Sequence, residues 1–194
     1  MEPRFYTVTE IADELCRADG VNLSDNPTAH SQVRNAVRRH LLQGGKLVDK
    51  RGTLAFPELE IYRARVFNTL SDWSMDLSRI EGSIVPALDR APEHKFPDRC
   101  STEGTTHWQG FRDVVAGVLA GEEWSLVVTL QRPGALPGGQ RLTAQMKWAG
   151  DVEGDNEALD ADFQQFLNDA FGEKIAVLAI SLNELFKGIL RRDI

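Results

Sequence analysis

Apolar residues recur at helical spacing near the start of the chain. The segment Phe5–Cys16 places apolar side chains on one face, and Thr7 and Glu10 have the spacing of a capping box. The segment Ser31–Gly45 carries a second apolar stripe at i, i+4 and i+8 and closes on two glycines, which often end a helix. A turn around Gly20 separates the two segments. The pattern therefore predicts two helices joined by a turn.

The outer face of the second predicted helix is basic and polar. Arg34 and Arg38 lie four residues apart, with Ser31, Asn35 and Arg39 beside them. Arginine can form paired hydrogen bonds with guanine and asparagine with adenine, while serine and arginine bind phosphate. Two interpretations stay open: a helix that enters a DNA groove, or an amphipathic surface helix with a solvated arginine face.

The next stretch predicts a small hairpin. Lys46–Phe56 contains two short β-prone pieces around a turn at Asp49–Gly52, so Lys50 and Arg51 are expected at its tip. Helix, turn, helix and basic hairpin is the organisation of a winged helix-turn-helix, whose wing lies against phosphates. The alternative is an ordinary surface hairpin with a hydrophilic turn.

Two further helices are predicted before a linker. The first begins at Pro57, a residue suited to a first helical turn, and is expected to place Arg63 and Arg65 on its outside. The second begins at Met75. The proline-containing stretch 81–105 is then interpreted as the end of that helix followed by an ordered linker.

Residues 5–80 as a whole resemble the DNA-binding head of the MerR family, including its excisionase-type relatives. The stretches that carry the resemblance are YTVTEIADEL, VRRHLLQGGKL and LAFPELEIYRARVFNTLSDWSMDLSRI. They are similar to the family's first helix, the end of its second helix, and the last wing strand with the two helices after it. The resemblance implies a winged helix-turn-helix that binds duplex DNA, usually as a dimer. By position, Arg38 matches the family's helix-two arginine, and Lys50 and Arg51 fall in its wing.

The second half of the chain has a different pattern. Trp124–Gln131 and Leu142–Trp148 alternate apolar and polar residues around a loop rich in proline and glycine, which predicts an antiparallel hairpin with one buried face. Such a hairpin needs helices to cover it. Helices are predicted over Thr106–Leu119, Leu159–Phe171 and Ile175–Ile189. In the last of these helices the apolar residues are alternately three and four positions apart. This spacing fits either a dimer interface or an apolar face buried in the core of the domain.

Charge is distributed unevenly. The chain has a net charge of −7, yet residues 31–66 hold eight Lys and Arg against three acidic residues. Asp151–Glu173, in contrast, contains eight acidic residues and neither Lys nor Arg, and we interpret it as a solvated linker. This asymmetry indicates that a protein of net negative charge has one local surface that binds anions.

Composition and motifs narrow the function classes further. Two cysteines imply no disulfide framework, and no apolar run approaches the about 18 residues of a membrane span, so a cytoplasmic protein without a membrane partner is expected. No nucleophile, phosphate-loop, dinucleotide or zinc-protease motif is present, so neither an enzyme nor a cofactor is expected. His94, Cys100 and His107 do not have the spacing of zinc ligands, and no metal site is expected.

The sequence thus predicts an α+β protein. It comprises a winged helix-turn-helix at 1–80, a linker at 81–105 and a smaller α+β domain at 106–194, in which a hairpin packs on helices. The predicted function is a sequence-specific regulator of transcription that binds double-stranded DNA as a homodimer. The 106–194 domain is expected to dimerise, sense an effector or bind a protein partner.

Each candidate DNA-binding residue has an expected role. Arg34, Asn35 and Arg38 are expected to reach base edges, and Ser31 shares their face. Phosphate contacts are expected from Arg39, Lys46, Lys50, Arg51 and Arg63.

Two other function classes stay open. In a protein-interaction adaptor, for instance a phage, plasmid or secretion accessory protein, the winged helix would be a packing module whose basic face meets an acidic partner. Burial of Arg34 and Arg38 against the C-terminal half would favour that class. An enzyme housed in residues 106–194 is the third hypothesis.

Overall fold

The fold is mixed α+β, as predicted. The computed structural model describes residues 4–73, 75, 78, 80–89, 110–132, 141–149 and 174–190. They fall into two compact units: Met1–Glu81 together with Glu184–Ile194, and Gly82–Asn183. Within the described residues, each unit contains one three-stranded antiparallel sheet. The sequence placed all of 106–194 in one domain, whereas the structure groups Glu184–Ile194 with the N-terminal residues.

A short strand, β1 (Phe5–Thr7), precedes the first helix, α1 (Val8–Ala18). The predicted capping box is confirmed: Thr7 Oγ1 accepts a hydrogen bond from the Glu10 N–H, and the Glu10 carboxylate accepts one from the Thr7 N–H at 2.7 Å. The prediction that the helix begins at Phe5 is wrong, because Phe5–Thr7 pair with a later strand. The turn after α1 is as predicted, with φ of 74° at Gly20.

The basic helix, α2 (Pro27–Arg38), begins earlier and ends earlier than the sequence predicts. A 3₁₀ turn at Leu23–Asp25 precedes it, and Pro27 occupies its first turn, as expected. Its buried side chains face the other helices of the unit; they are Ala29, Val33 and Ala36.

A turn at His40, and not the glycine pair, ends α2. His40 has φ of 57°, its N–H donates to the Val37 carbonyl at 3.0 Å, and the Leu41 N–H donates to the Ala36 carbonyl at 2.9 Å. These two bonds form a Schellman motif with His40 in the left-handed position. The prediction that the helix continues to Gly44 is wrong, because the chain turns at His40 to bury Leu41 in the core.

The predicted hairpin is present. Its strands, β2 (Lys46–Leu47) and β3 (Leu54–Pro57), are antiparallel, and β1 pairs with the other side of β3 to give the order β1-β3-β2. The next helix, α3 (Leu59–Asp72), follows at once, so Pro57 ends a strand and does not open the helix.

A π-helical turn at Ile80–Ile84 leads into the short helix α4 (Val85–Asp89). Of the helix predicted to begin at Met75, the structure describes only Met75, Ser78 and the residues from Ile80 onward. Residues 90–105 of the predicted linker lie outside the described part.

The second unit is built on a sheet of three eight-residue strands. Helix α5 (Phe111–Leu119) precedes β4 (Trp124–Gln131), β5 (Arg141–Trp148) and β6 (Lys174–Ser181), in the sheet order β5-β4-β6. The predicted antiparallel pairing of β4 with β5 is confirmed. The buried face of β4 is also as predicted, with Trp124, Leu126 and Val128 in the core.

The helix predicted over Ile175–Ile189 is wrong in its first half. Residues Lys174–Ser181 form β6, which pairs antiparallel with β4, so the predicted hairpin is a three-stranded sheet. Only the second half is helical, as α6 (Leu182–Leu190). The helix predicted over Leu159–Phe171 lies outside the described residues.

From Glu184 onward, α6 packs in the first unit. The ring of Phe186 meets that of Tyr62 edge to face, with centroids 5.1 Å apart, and a Cβ added to Gly188 would strike the backbone of Ala18. Arg65 Nε donates to the Leu185 carbonyl at 3.4 Å. The C-terminal helix therefore completes the packing of α1 and α3.

No helix in the described ranges is both long enough and apolar enough to cross a bilayer.

Candidate nucleic-acid interface

The exposed face of α2 presents four of the predicted site residues. Ser31, Arg34, Asn35 and Arg38 are all exposed and follow the i, i+3, i+4, i+7 spacing of one helical face. The helix contains no acidic residue, so no carboxylate of its own neutralises these arginines. On the opposite side α2 packs against α1 and α3.

The position of α2 is also fixed by a polar contact. Gln32 Nε2 donates a hydrogen bond to Asp72 Oδ1 at 2.8 Å, which joins the middle of α2 to the end of α3. This contact lies beside the exposed face and does not use any of its four residues.

Arg39 differs from the other basic residues of this region. Its guanidinium is only partly exposed and forms an ion pair with Glu81, with 3.6 Å between Nη1 and Oε2. A phosphate would have to compete with this carboxylate, so Arg39 is a weaker anion-binding residue than Arg34 or Arg38.

The tip of the β2–β3 hairpin is basic and ordered by a carboxylate. Lys50 and Arg51 are exposed, as predicted. Asp49 Oδ1 accepts hydrogen bonds from the backbone N–H groups of Arg51 and Thr53, both at 2.9 Å, and Oδ2 accepts one from Thr53 Oγ1 at 2.7 Å. These hydrogen bonds hold the pKa of Asp49 below its ordinary value, and those from Thr53 have the largest effect. The carboxylate therefore shapes the turn that carries the two cations.

Lys46 lies at the base of the same hairpin. Its side chain is exposed, and its Nζ lies 4.6 Å from the centroid of the Phe5 ring, within cation–π distance. The contact limits the side-chain freedom of Lys46 without neutralising its charge.

A buried polar cluster holds the connector between α2 and the hairpin. Glu60, in the first turn of α3, accepts a hydrogen bond from the Gln43 N–H at 2.9 Å and pairs with Arg63 Nε at 3.3 Å. Glu60 and Arg63 are each only 3% exposed. A few residues on, a Cβ added to Gly45 would lie 2.8 Å from the Phe56 ring, so a side chain there would force that ring to move. The connector is therefore held at several points, and α2 and the hairpin belong to one ordered unit.

Arg63 itself does not reach solvent. The prediction that it lies on the outside of its helix and binds phosphate is wrong, because its guanidinium is buried and its charge is matched by Glu60. Arg65, also expected outside, is partly exposed and forms a two-point ion pair with Asp19 at the end of α1. Both arginines serve the packing of the unit.

The structure thus places most of the predicted site residues on exposed parts of one unit. The exposed ones are Ser31, Arg34, Asn35, Arg38, Lys46, Lys50 and Arg51. Sequence reasoning did not assign roles to His40, Gln43 and Glu60, which fix the connector. The available signal was the Glu60–Arg63 pair, with opposite charges three residues apart near the start of α3.

Within the described ranges, no group of three or more His, Cys, Asp or Glu is placed to hold a metal ion. His94, Cys100 and His107 lie outside these ranges.

Comparison of the chain with protein-family models, with curated proteins and with solved structures found no match. Function is therefore inferred from the residues of the chain and their geometry alone.

Proposed function

We propose that the first unit is a winged helix-turn-helix that binds a specific site on duplex DNA, and that the chain is a dimeric regulator of transcription. The observation that carries the proposal is the exposed face of α2, where Ser31, Arg34, Asn35 and Arg38 lie at helical spacing without an acidic neighbour on the helix. An α-helix fits the major groove, and these side-chain types match the groups that bases and phosphates offer there.

Each part of the surface has a separate role in this proposal. Arg34, Asn35 and Arg38 reach base edges and set the preferred sequence. Ser31 on α2 and the exposed cations of the hairpin, Lys46, Lys50 and Arg51, bind phosphates and add affinity that is independent of sequence. The fixed connector supports the proposal, since a groove-binding helix and a phosphate-binding hairpin must keep a constant spacing.

A protein-interaction adaptor is the second candidate. It is favoured by the apolar side chains on the hairpin: Leu47 is 70% exposed, and Val48 and Leu54 are exposed beside it. The exposure of Arg34 and Arg38 favours the DNA proposal over an adaptor in which these residues are buried against the C-terminal half.

The first test is a fluorescence-anisotropy titration against a mixed-sequence duplex at several salt concentrations. We expect affinity to fall steeply with salt, because phosphate contacts release counterions, and to be lost in the double variant Arg34→Ala/Arg38→Ala. Arg112→Ala, an exposed arginine on α5, is the matched control and is expected to bind as the unchanged protein does. A folded protein that binds no duplex even at low salt would refute the proposal and favour the adaptor.

Selection of the preferred site then separates the two roles. Arg38→Ala should cost about 1–3 kcal/mol on that site and relax its base preference. Lys50→Ala should weaken binding to all sequences and reduce the salt slope by about one. An unchanged slope for Lys50→Ala would contradict the role of the hairpin.

A further inference from the structure

The sheet of the second unit has two edges of different character. Among the described strands, β5 and β6 each pair with β4 on one side and have no neighbouring strand on the other, although the Leu142 carbonyl of β5 accepts a hydrogen bond from Ser83 Oγ at 2.8 Å. The outer backbone N–H and C=O groups of such edge strands can pair with another chain, and proteins commonly block this with charged residues or proline.

The β5 edge carries such protection. Its sequence, RLTAQMKW, includes two cationic residues and two further polar ones, and Gln145 is exposed. Another strand that approached this edge would have to desolvate these groups.

The β6 edge carries much less of this protection. Its sequence, KIAVLAIS, has one charge, on the first residue, and no proline, and the next charged residue along the chain is Glu184. Val177 is 60% exposed, and Ala176 and Ala179 are exposed as well. This is a long and apolar edge strand of the kind that pairs with another strand.

The charge pattern of β6 selects a second copy of this chain. When two copies of β6 run antiparallel with Leu178 on the two-fold axis, Val177 lies opposite Ala179 and Ala176 opposite Ile180, because opposite residues of an antiparallel pair share one face of the sheet. Ile175 then lies opposite Ser181, and Lys174 lies beyond the last pair. No like charges meet, and no charged group is left opposite an apolar one. A charged partner strand would find no complement on this edge.

We propose that two copies of the chain pair through β6 about a two-fold axis and extend the sheet from three strands to six. Because each copy has one weakly protected edge and one protected edge, the pairing closes at a dimer and does not continue into a fibre. The proposal rests on the dimeric state within the proposed function, and it does not depend on DNA binding.

The test is the mass of the full-length protein, measured without DNA by light scattering and sedimentation between about 1 and about 200 µM, because a single strand edge buries less surface than a standard interface. We expect a dimer that dissociates in this range. Val177→Lys places an introduced ammonium group on each side of the two-fold axis, where the two groups repel each other, and should raise the dissociation constant about two- to fivefold. Ala179→Lys, at a second exposed position of β6, should act in the same direction.

Gln145→Lys is the matched control, since it adds the same charge to an exposed position on the other edge of the same sheet. It should leave the mass unchanged, and circular dichroism should show all three variants folded. A monomer at every concentration, an assembly larger than a dimer, or a dimer insensitive to Val177→Lys and Ala179→Lys would each overturn the proposal. So would equal dissociation by Gln145→Lys. Because DNA is absent, none of these results depends on whether the α2 face binds it.

Discussion

His40 holds a backbone conformation that glycine adopts more readily than any other residue. It occupies the left-handed position of the Schellman motif at the end of α2, with φ of 57°, and its side chain is exposed. A side chain in this conformation costs about 1–2 kcal/mol, part of which glycine regains at the expense of chain entropy.

We therefore expect His40→Gly to raise the free energy of unfolding by about 0.5–1 kcal/mol in urea denaturation. The control is Arg38→Gly, two residues earlier inside α2, which should lower stability by up to about 1 kcal/mol. A His40→Gly variant less stable than the unchanged protein would contradict this explanation of the helix end.

Glu60 neutralises a cation in the core of the first unit. Glu60→Gln keeps an oxygen that can accept the Gln43 N–H but removes the carboxylate that pairs with the buried guanidinium of Arg63. Breaking a buried pair in this way should cost about 3–5 kcal/mol in the free energy of unfolding.

The comparison is Glu184→Gln in α6. Glu184 also pairs with a cation three residues away, Lys187, but its side chain is 72% exposed, so the loss should stay below about 1 kcal/mol. Equal losses for the two variants would show that the Glu60–Arg63 pair is no more important than a surface pair.

At the scale of elements, the hairpin turn depends on the charge of Asp49. Because the folded-state pKa of this carboxyl is lowered, its contribution is complete above the ordinary value of 3.8 and is lost as the pH falls through the lowered pKa. We expect the backbone amide resonances of Arg51 and Thr53 to shift in that acidic range, and not near neutrality. Asp49→Asn should abolish the shift, and a midpoint at or above 3.8 would contradict the geometry.

Elements whose signal is local could be predicted from the sequence. The capping box depends on two residues three apart, and the β2–β3 and β4–β5 pairings depend on alternation around a turn. In each case the partners are near neighbours in the chain or are joined by one loop. The sequence pattern therefore contains most of the information that fixes them.

The β6 strand could not be predicted in this way. Ile175, Leu178 and Leu182 are spaced as a helix requires, yet a continuous apolar run also fits a strand with a covered face. Pairing with β4, more than forty residues earlier in the chain, decides between the two. That interaction is not visible in any window of the sequence.

The candidate site shows the same limit. The amphipathic pattern of α2 predicts which of its faces is exposed, because the other side of that helix is apolar. Helix α3 is buried around most of its circumference, with Glu60, Arg63 and Asn68 inside it, so its charged residues do not mark its solvent side. The burial of Arg63 follows from its tertiary surroundings.

At the scale of the whole molecule, the first unit is assembled from both ends of the chain. Phe186 of α6 is fully buried against Tyr62, and Gly188 lies against the backbone of Ala18. Phe186→Ala should therefore lower the free energy of unfolding by about 3–5 kcal/mol. Hydrogen exchange should become faster in α1 and α3, far from it in sequence.

Leu119→Ala is the control for this variant. Leu119 is 56% exposed on α5, so its removal should change stability by less than about 1 kcal/mol. Unchanged exchange rates in α1 and α3 of Phe186→Ala would contradict the packing of α6 in the first unit.

The division of the first unit between the two ends of the chain also sets an order for its biosynthesis. A ribosome that has finished Glu81 must still make about 100 residues before it reaches Glu184, which takes about 5–20 s at ordinary rates of elongation. Throughout that interval the nascent α1 and α3 lack the helix that covers Tyr62. A translation product that ends before Glu184 therefore has the exposed face of α2 and the cations of the hairpin, but its first unit is incomplete. The apolar side chains that α6 would cover are then exposed to chaperones and proteases. Only chains translated through α6 can form the complete first unit.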